Sequence, residues 1–252
     1  MIGALAGDIF GSIYEFENIK TKDFDLYDIS CFFTDDSVLT CALAESYLLG
    51  RAYEDVMREY YKLWPDASYG GRYHYWAMDP EMGPYNSFGN GSAMRVSPAG
   101  WAFNDLESVL RGATASAEVT HNHPEGLKGA QATAGAIFLL RSGTSRHVVK
   151  DWMQNIFEYN VSQTCDEIRP HYQFDESCQG TVPQAFRAFY ESTDFEDAIK
   201  TAISLGGDSD TLACITGALA EAQYGIPERV REFVYDRLPD RLLKVVMSFY
   251  AK

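Results

Sequence analysis

Two short stretches pair carboxylates at the threshold of apolar, alanine-rich runs: Thr34-Asp35-Asp36-Ser37 and, far downstream, Gly206-Gly207-Asp208-Ser209-Asp210-Thr211. A helix start needs one acidic or hydroxyl residue as its cap, and a second adjacent anion adds charge that the fold must neutralise. Taken singly, each stretch reads as an ordinary cap. Brought into one pocket, four aspartates repel by about 4 kcal/mol per close pair at an effective dielectric of roughly 20. Four carboxylates balance two divalent cations, and oxygens from Asp, Thr and Ser suit a hard ion such as Mg2+ or Mn2+ rather than zinc. The chemistry expected of the pair is a two-metal seat, on the condition that the two stretches meet.

Other segments bear on that condition. The run Gly3-Ala4-Leu5-Ala6-Gly7-Asp8-Ile9-Phe10-Gly11 spaces glycines every fourth residue, a bare helical face for close packing, and it adds Asp8 and, one step along, Glu15. Ala213, Gly217, Ala218 and Ala222 would let another backbone approach the helix after the second acidic stretch. Gly89-Asn90-Gly91-Ser92 permits a backbone to lie against phosphates or a sugar, and a plain loop explains it about as well. His121 and His123 lack a Cys or third His at zinc-ligand spacing, so hydrogen-bonding or structural roles are expected of them. His74, His147 and His171 are isolated, and Cys178 has no identified base that would make it a nucleophile.

The elements that must position these residues are helical. Apolar residues three and four apart recur over residues 36–49, 105–119, 126–140, 146–159, 195–204, 210–224 and 227–251, while alternating β-branched runs are hard to find. The fold class is therefore all-α, a compact single-domain bundle over residues 1–252, interrupted by two irregular stretches, residues 60–100 and 164–183. The 252 residues, 46% hydrophobic and 14% aromatic, suffice for a sizeable core. A net charge of −15 without like-charge blocks opposes nucleic acid and anionic membranes as partners. No apolar run reaches the roughly 18 residues of a membrane span, and the N-terminal segment lacks the basic n-region of an export signal. Five cysteines without a C-x-x-C pair fit reduced thiols in a cytoplasmic protein.

Taken in order, GALAGDIFGSIYEF, FTDDS, GNGSAMRVSPAG, THNHPEG and GGDSDTLACITGALAEAQYG resemble the ADP-ribosylglycohydrolase family, from residue 3 to about 225. The resemblance implies an orthogonal helical bundle with two Mg2+ or Mn2+ ions held by Thr34, Asp35, Asp36, Asp208, Asp210 and Thr211. It implies acid/base and gating roles for Glu15, catalytic roles for Asp35 and Asp210 beside it, and an ADP-ribose lying over Asn90, Gly91 and Ser92 with His121 close to the nucleotide. The implied reaction releases ADP-ribose from a modified protein or small ADP-ribosyl substrate, with arginine the first acceptor to test and serine the second. The family's usual TDDT appears here as TDDS, and Ser37 keeps the hydroxyl. Isoprenyl diphosphate synthases also set Asp-rich helices around magnesium in an all-α fold, but their D-D-x-x-D motif needs an Asp at position 39, which is Leu39 here. The remaining alternative is an inactive ADP-ribose-binding or crystallin-like structural member. Every acidic position of the motifs is present, which favours activity.

Overall fold

The computed structural model describes residues 1–251, and helix is the only regular element among the described residues. The helices are α1 (Ile2–Gly11), α2 (Asp35–Leu49), α3 (Tyr53–Leu63), α4 (Gly71–Met78), α5 (Gly91–Met94), α6 (Ser97–Ala102), α7 (Leu106–Glu118), α8 (Pro124–Arg141), α9 (Arg146–Phe157), α10 (Cys165–Ile168), α11 (Cys178–Glu191), α12 (Phe195–Ile203), α13 (Ser209–Tyr224), α14 (Glu228–Tyr235) and α15 (Asp240–Tyr250). The one extended pairing described is an isolated antiparallel bridge between Gly89 and Ser177. An all-α domain is what the periodicity implied.

The centre of the bundle is the pairing of α1 with α13. Every residue of α1 is buried, and so is α13 from Ser209 to Glu221. The two backbones touch because glycine faces them: a Cβ on Gly3 would fall inside the Gly217 carbonyl, one on Gly7 inside the Ala213 carbonyl, and one on Gly11 against the Asp210 backbone. The Gly3 amide also donates to Glu221 Oε2 at 2.8 Å. Helices α2, α11 and α12 pack around this pair, and one apolar core runs from Ile2 to Val246.

The structure departs from the sequence reading in three places. The last periodic stretch is two helices, because Pro239 has no amide to donate and caps a new start at α15. Residues 60–100 hold three short helices, α4 to α6, and the stretch 164–183 contains α10, built on a Thr164/Glu167 capping box. Pro183 lies inside α11, early enough for a Ser177 cap on the Gly180 amide to carry the helix through it.

The glycine contact generates a test. Gly7→Ala is expected to lower the unfolding free energy by about 3 kcal/mol, since backbone is what the methyl would meet, whereas Gly83→Ala, with open space around its site, should stay within roughly 0.5 kcal/mol. Chemical denaturation of both variants measures the difference.

Candidate metal centre

The first acidic stretch is fastened by a residue on α1. Asp8, fully buried, accepts hydrogen bonds from the Thr34 amide (3.0 Å), the Thr34 hydroxyl (2.6 Å) and the Ser37 amide (3.0 Å). Thr34 in turn caps α2, its hydroxyl accepting from the Asp36 amide at 3.4 Å. What position 37 contributes here is its amide. The second stretch forms the N-terminus of α13, and the close α1–α13 contact brings it to the first. The Thr34 hydroxyl lies 3.4 Å from Asp210 Oδ2, 176 residues away in sequence, and the Thr211 hydroxyl donates to Asp36 Oδ2 at 3.3 Å. The two stretches meet.

Their carboxylates form two groups of three. Oxygens of Asp8, Asp36 and Asp210 lie within 4.8 Å of one another, and so do those of Glu15, Asp208 and Asp210. Asp210 belongs to both, so the two groups adjoin, and each could hold a metal ion. Asp36 Oδ1 is buried without a hydrogen-bond partner, an acceptor that a cation would satisfy, and the donors are all hard oxygens. Asp35 is half-buried and lines the adjoining cleft, outside both triads.

In the metal-free protein these groups resist ionisation. Burial pushes Asp35, Asp36 and Asp210 well above the usual carboxylate range, and neighbouring aspartates push them further. Burial, then the charges of Asp208 and Asp8, raise Glu15 to about 7. Asp8 and Asp208 are also raised by burial, against hydrogen bonds that favour their ionised forms: from Thr34 and Ser37 to Asp8, and from Asn90 and Thr211 to Asp208.

A cleft of about 480 Å³ opens beside the cluster. Its far wall is the glycine loop. Asn90 and Gly91 line the cleft, and the Asn90 carboxamide donates to Asp208 Oδ2 at 2.7 Å and to the Thr181 hydroxyl at 3.0 Å, tying the loop to the acidic site. Ser92 is fully buried behind the loop with its hydroxyl on the Gly126 carbonyl at 2.7 Å, so it anchors the loop rather than facing the cleft. The Gly89–Ser177 bridge closes the rim, with the Asn90 amide on the Glu176 carbonyl at 2.7 Å and the Cys178 amide on the Phe88 carbonyl at 2.9 Å.

His121 lines the same wall, its Nε2 against Gly91, and burial holds it well below the usual histidine range and therefore neutral. His123 caps α8, its Nδ1 accepting from the Glu125 amide at 3.1 Å. The Cys178 thiol donates to the Gly89 carbonyl at 3.1 Å and is pushed up to about 12 by burial, so it props the loop and is no nucleophile at neutral pH.

Sequence reasoning singled out the acidic stretches but not everything around them. Asp8 was visible only as an acid inside an apolar run; its role depends on what α1 packs against. Arg95, fully buried along the cleft, gives one nitrogen to the Ser116 carbonyl (3.1 Å) and the Thr120 hydroxyl (2.8 Å), while its Nε and Nη1 have no partner. Nothing local in GNGSAMR marks it.

Known proteins share this architecture. The model of a family described as ADP-ribosylglycohydrolase matches residues 1–251. This chain belongs to the ADP-ribosylglycohydrolase family. It is similar to human ADP-ribosylhydrolase ARH3, 26% identical over 308 aligned positions that cover 90% of this chain and 85% of the relative. It is also similar to ADP-ribosylarginine hydrolase Tri1 of Pseudomonas putida (strain GB-1), 26% identical over 58% of this chain and 41% of that protein. A solved structure titled "ADP-ribosylglycohydrolase-related protein complex" superimposes with a TM-score of 0.76, covering 99% of this chain and 96% of its own at 24% identity, which speaks to the fold. Members of the family are hydrolases, and an acidic cluster able to hold metal fits that class.

The raised carboxyls imply a pH-dependent cost. A carboxyl whose folded pKa is raised contributes stability that is present below its unfolded value and lost as pH rises through its folded value. For Glu15 that window runs from 4.5 to about 7, and for Asp210 it opens at 3.8 and closes well above it. Metal-free Asp210→Asn should therefore be more stable than the parent at alkaline pH, by about 1–3 kcal/mol, and lose the advantage as pH falls to 3.8. Added Mg2+ or Mn2+ should raise the melting temperature of the parent and leave that of the variant nearly unchanged. Calorimetric melts across pH check both.

Proposed function

We propose that the protein is a divalent-metal-dependent ADP-ribosyl hydrolase that cleaves the bond between C1″ of the distal ribose and a modified acceptor, releasing ADP-ribose. The observation that carries this is the pair of carboxylate triads sharing Asp210 at the end of a cleft walled by a glycine loop. We take Thr34, Asp35, Asp36, Asp208, Asp210 and Thr211 as the ligands; the triads support Asp36, Asp208 and Asp210 among them. Two divalent cations held there supply Lewis acidity and a grip on vicinal hydroxyls.

The chain's own groups account for the rest. The glycine loop around Asn90 and Gly91 gives a flat bed for the sugar-phosphate, and neutral His121 offers a hydrogen-bonding edge without adding charge. As the acceptor departs, positive charge develops on the ribose ring, and Asp35 and Asp208, which both line the cleft, would stabilise it. Glu15, half-buried at the cleft and grouped with Asp208 and Asp210, takes the proton of the attacking water as its oxygen bonds to C1″, and that proton leaves on the released acceptor.

Arginine is the first acceptor to test. Glu15, Asp35, Asp175 and Glu176 make the cleft wall acidic, which suits a cationic side chain, and the P. putida relative is named as an ADP-ribosylarginine hydrolase. Serine is the second. All five cysteines are free and buried, which fits a cytoplasmic setting, and the substrate is an ADP-ribosylated protein or small ADP-ribosyl compound.

Defined ADP-ribosyl-arginine and ADP-ribosyl-serine peptides, assayed side by side with and without Mg2+, test the reading. The parent should release ADP-ribose only with metal. Glu15→Gln should lose about 100-fold or more in kcat while still binding ADP-ribose, and Asp36→Asn should lose metal-dependent binding as well. Tight metal-dependent binding of ADP-ribose without release from any peptide would favour the binding-only alternative and overturn the hydrolase reading.

A further inference from the structure

One side chain joins the segment that carries Glu15 to the loop that carries Asp208. Asn18 is exposed and has no positive φ, so neither burial nor backbone conformation calls for asparagine there. Its carboxamide is nevertheless fully engaged. Nδ2 donates to the Gly207 carbonyl at 2.9 Å and to the carbonyls of Tyr14 (2.6 Å) and Glu15 (2.9 Å), and Oδ1 accepts from the Gly207 amide at 2.6 Å. Both polar backbone groups of Gly207 are thus satisfied by one side chain.

Within the turn it grips, the Gly206 amide is held by the Ile203 carbonyl at 3.0 Å and Asp208 by Asn90 at 2.7 Å, and Asn18 supplies the bond to the Gly207 amide. Gly206 and Gly207 are both left-handed, at φ +69° and +75°, and Asp208, which follows as the first residue at the α13 start, makes no side-chain capping bond. Two residues from Asn18, Lys20 extends the same grip: its Nζ donates to the Leu205 carbonyl and, at 2.7 Å, to the Tyr172 carbonyl. Tyr172 begins the rim segment whose Phe174 stacks on Phe16 (centroids 6.4 Å apart), the neighbour of Glu15. Three pieces of chain that border the cleft meet on Asn18 and Lys20.

We propose that Asn18 is a positioning residue: it sets the place of Glu15 against Asp208 and Asp210, and so couples metal binding to turnover. The proposal rests on the hydrolase reading for its activity arm, and its metal arm stands apart from that reading. Without the carboxamide, the Gly207 amide loses its partner, the Gly207 carbonyl keeps only the Ser209 hydroxyl at 3.3 Å, and the Glu15 segment loses its tie to the α13 start. Partners that orient metal ligands from outside the coordination sphere typically contribute 10–100-fold to affinity or activity.

The test uses the full chain with Asn18→Ala, with Asn18→Asp, an isostere that keeps the acceptor and removes both donors, and with Lys20→Arg as the conservative change. Mn2+ binding is read by calorimetry and electron paramagnetic resonance, kcat and KM with the peptide that the parent cleaves, and melting temperature in parallel. Asn18→Ala and Asn18→Asp should weaken Mn2+ binding by about 10-fold and lower kcat by about 10–100-fold with KM within a few-fold, while Lys20→Arg stays near the parent. If the parent cleaves no peptide, the Mn2+ titrations alone decide. Parent-like Mn2+ affinity in a folded Asn18→Asp would overturn the proposal, as would a KM effect with kcat unchanged.

Discussion

The structure depends on how closely α1 lies against α13. Three glycines on one face of α1 let its backbone meet the backbone of α13, and that contact delivers Asp8 and Glu15 from one end of the chain to Asp208 and Asp210 near the other. Helix pairs held apart by ordinary side chains sit roughly 8–10 Å from axis to axis, and the glycine face lets α1 come closer, so that the short side chain of Asp8 shares a site with the α13 start. Close packing of neutral backbone is thus the means by which charge is concentrated. It also makes the concentration unavoidable, since the contact that fills the core brings the carboxylates together whether or not a cation is there to offset them.

Division of labour follows. Asp8 spends its oxygens on the amides and hydroxyl of the first acidic stretch and so fixes α2 against α1, while Asp36 is left with an oxygen that nothing in the protein satisfies. Asn90 reaches from the glycine loop to Asp208, so the cleft wall and the acidic cluster are parts of one hydrogen-bonded unit. A ligand that shifts the loop moves an acidic residue as well.

Much of this was legible in the sequence, and the residues show why the rest was not. Thr34-Asp35-Asp36 and Asp208-Ser209-Asp210-Thr211 announce themselves locally, because a helix start tolerates one acid as a cap and here carries two. The glycine spacing in α1 is equally local. Asp8 within it is not, since an acid in an apolar helix gains meaning only from the helix opposite. Asn90 and Ser92 were expected beneath a ligand only through the family resemblance, and the directions of their side chains were set by Gly126, Thr181 and Asp208, none of them near in sequence. Asn18 and Arg95 act on backbone groups far along the chain or across the cleft wall, for which no spacing rule exists. The helix break at Pro239 was readable from proline alone, and a continuous apolar periodicity hid it.

Both acidic stretches sit at the first turns of long helices, α2 and α13. The amides there carry partial positive charge, about half an elementary charge per helix end. An arriving cation therefore faces a field weaker than the count of carboxylates implies, because the two helix ends together cancel on the order of one negative charge. The charge such a seat presents to a cation is therefore a property of the helix ends as much as of the acids they carry.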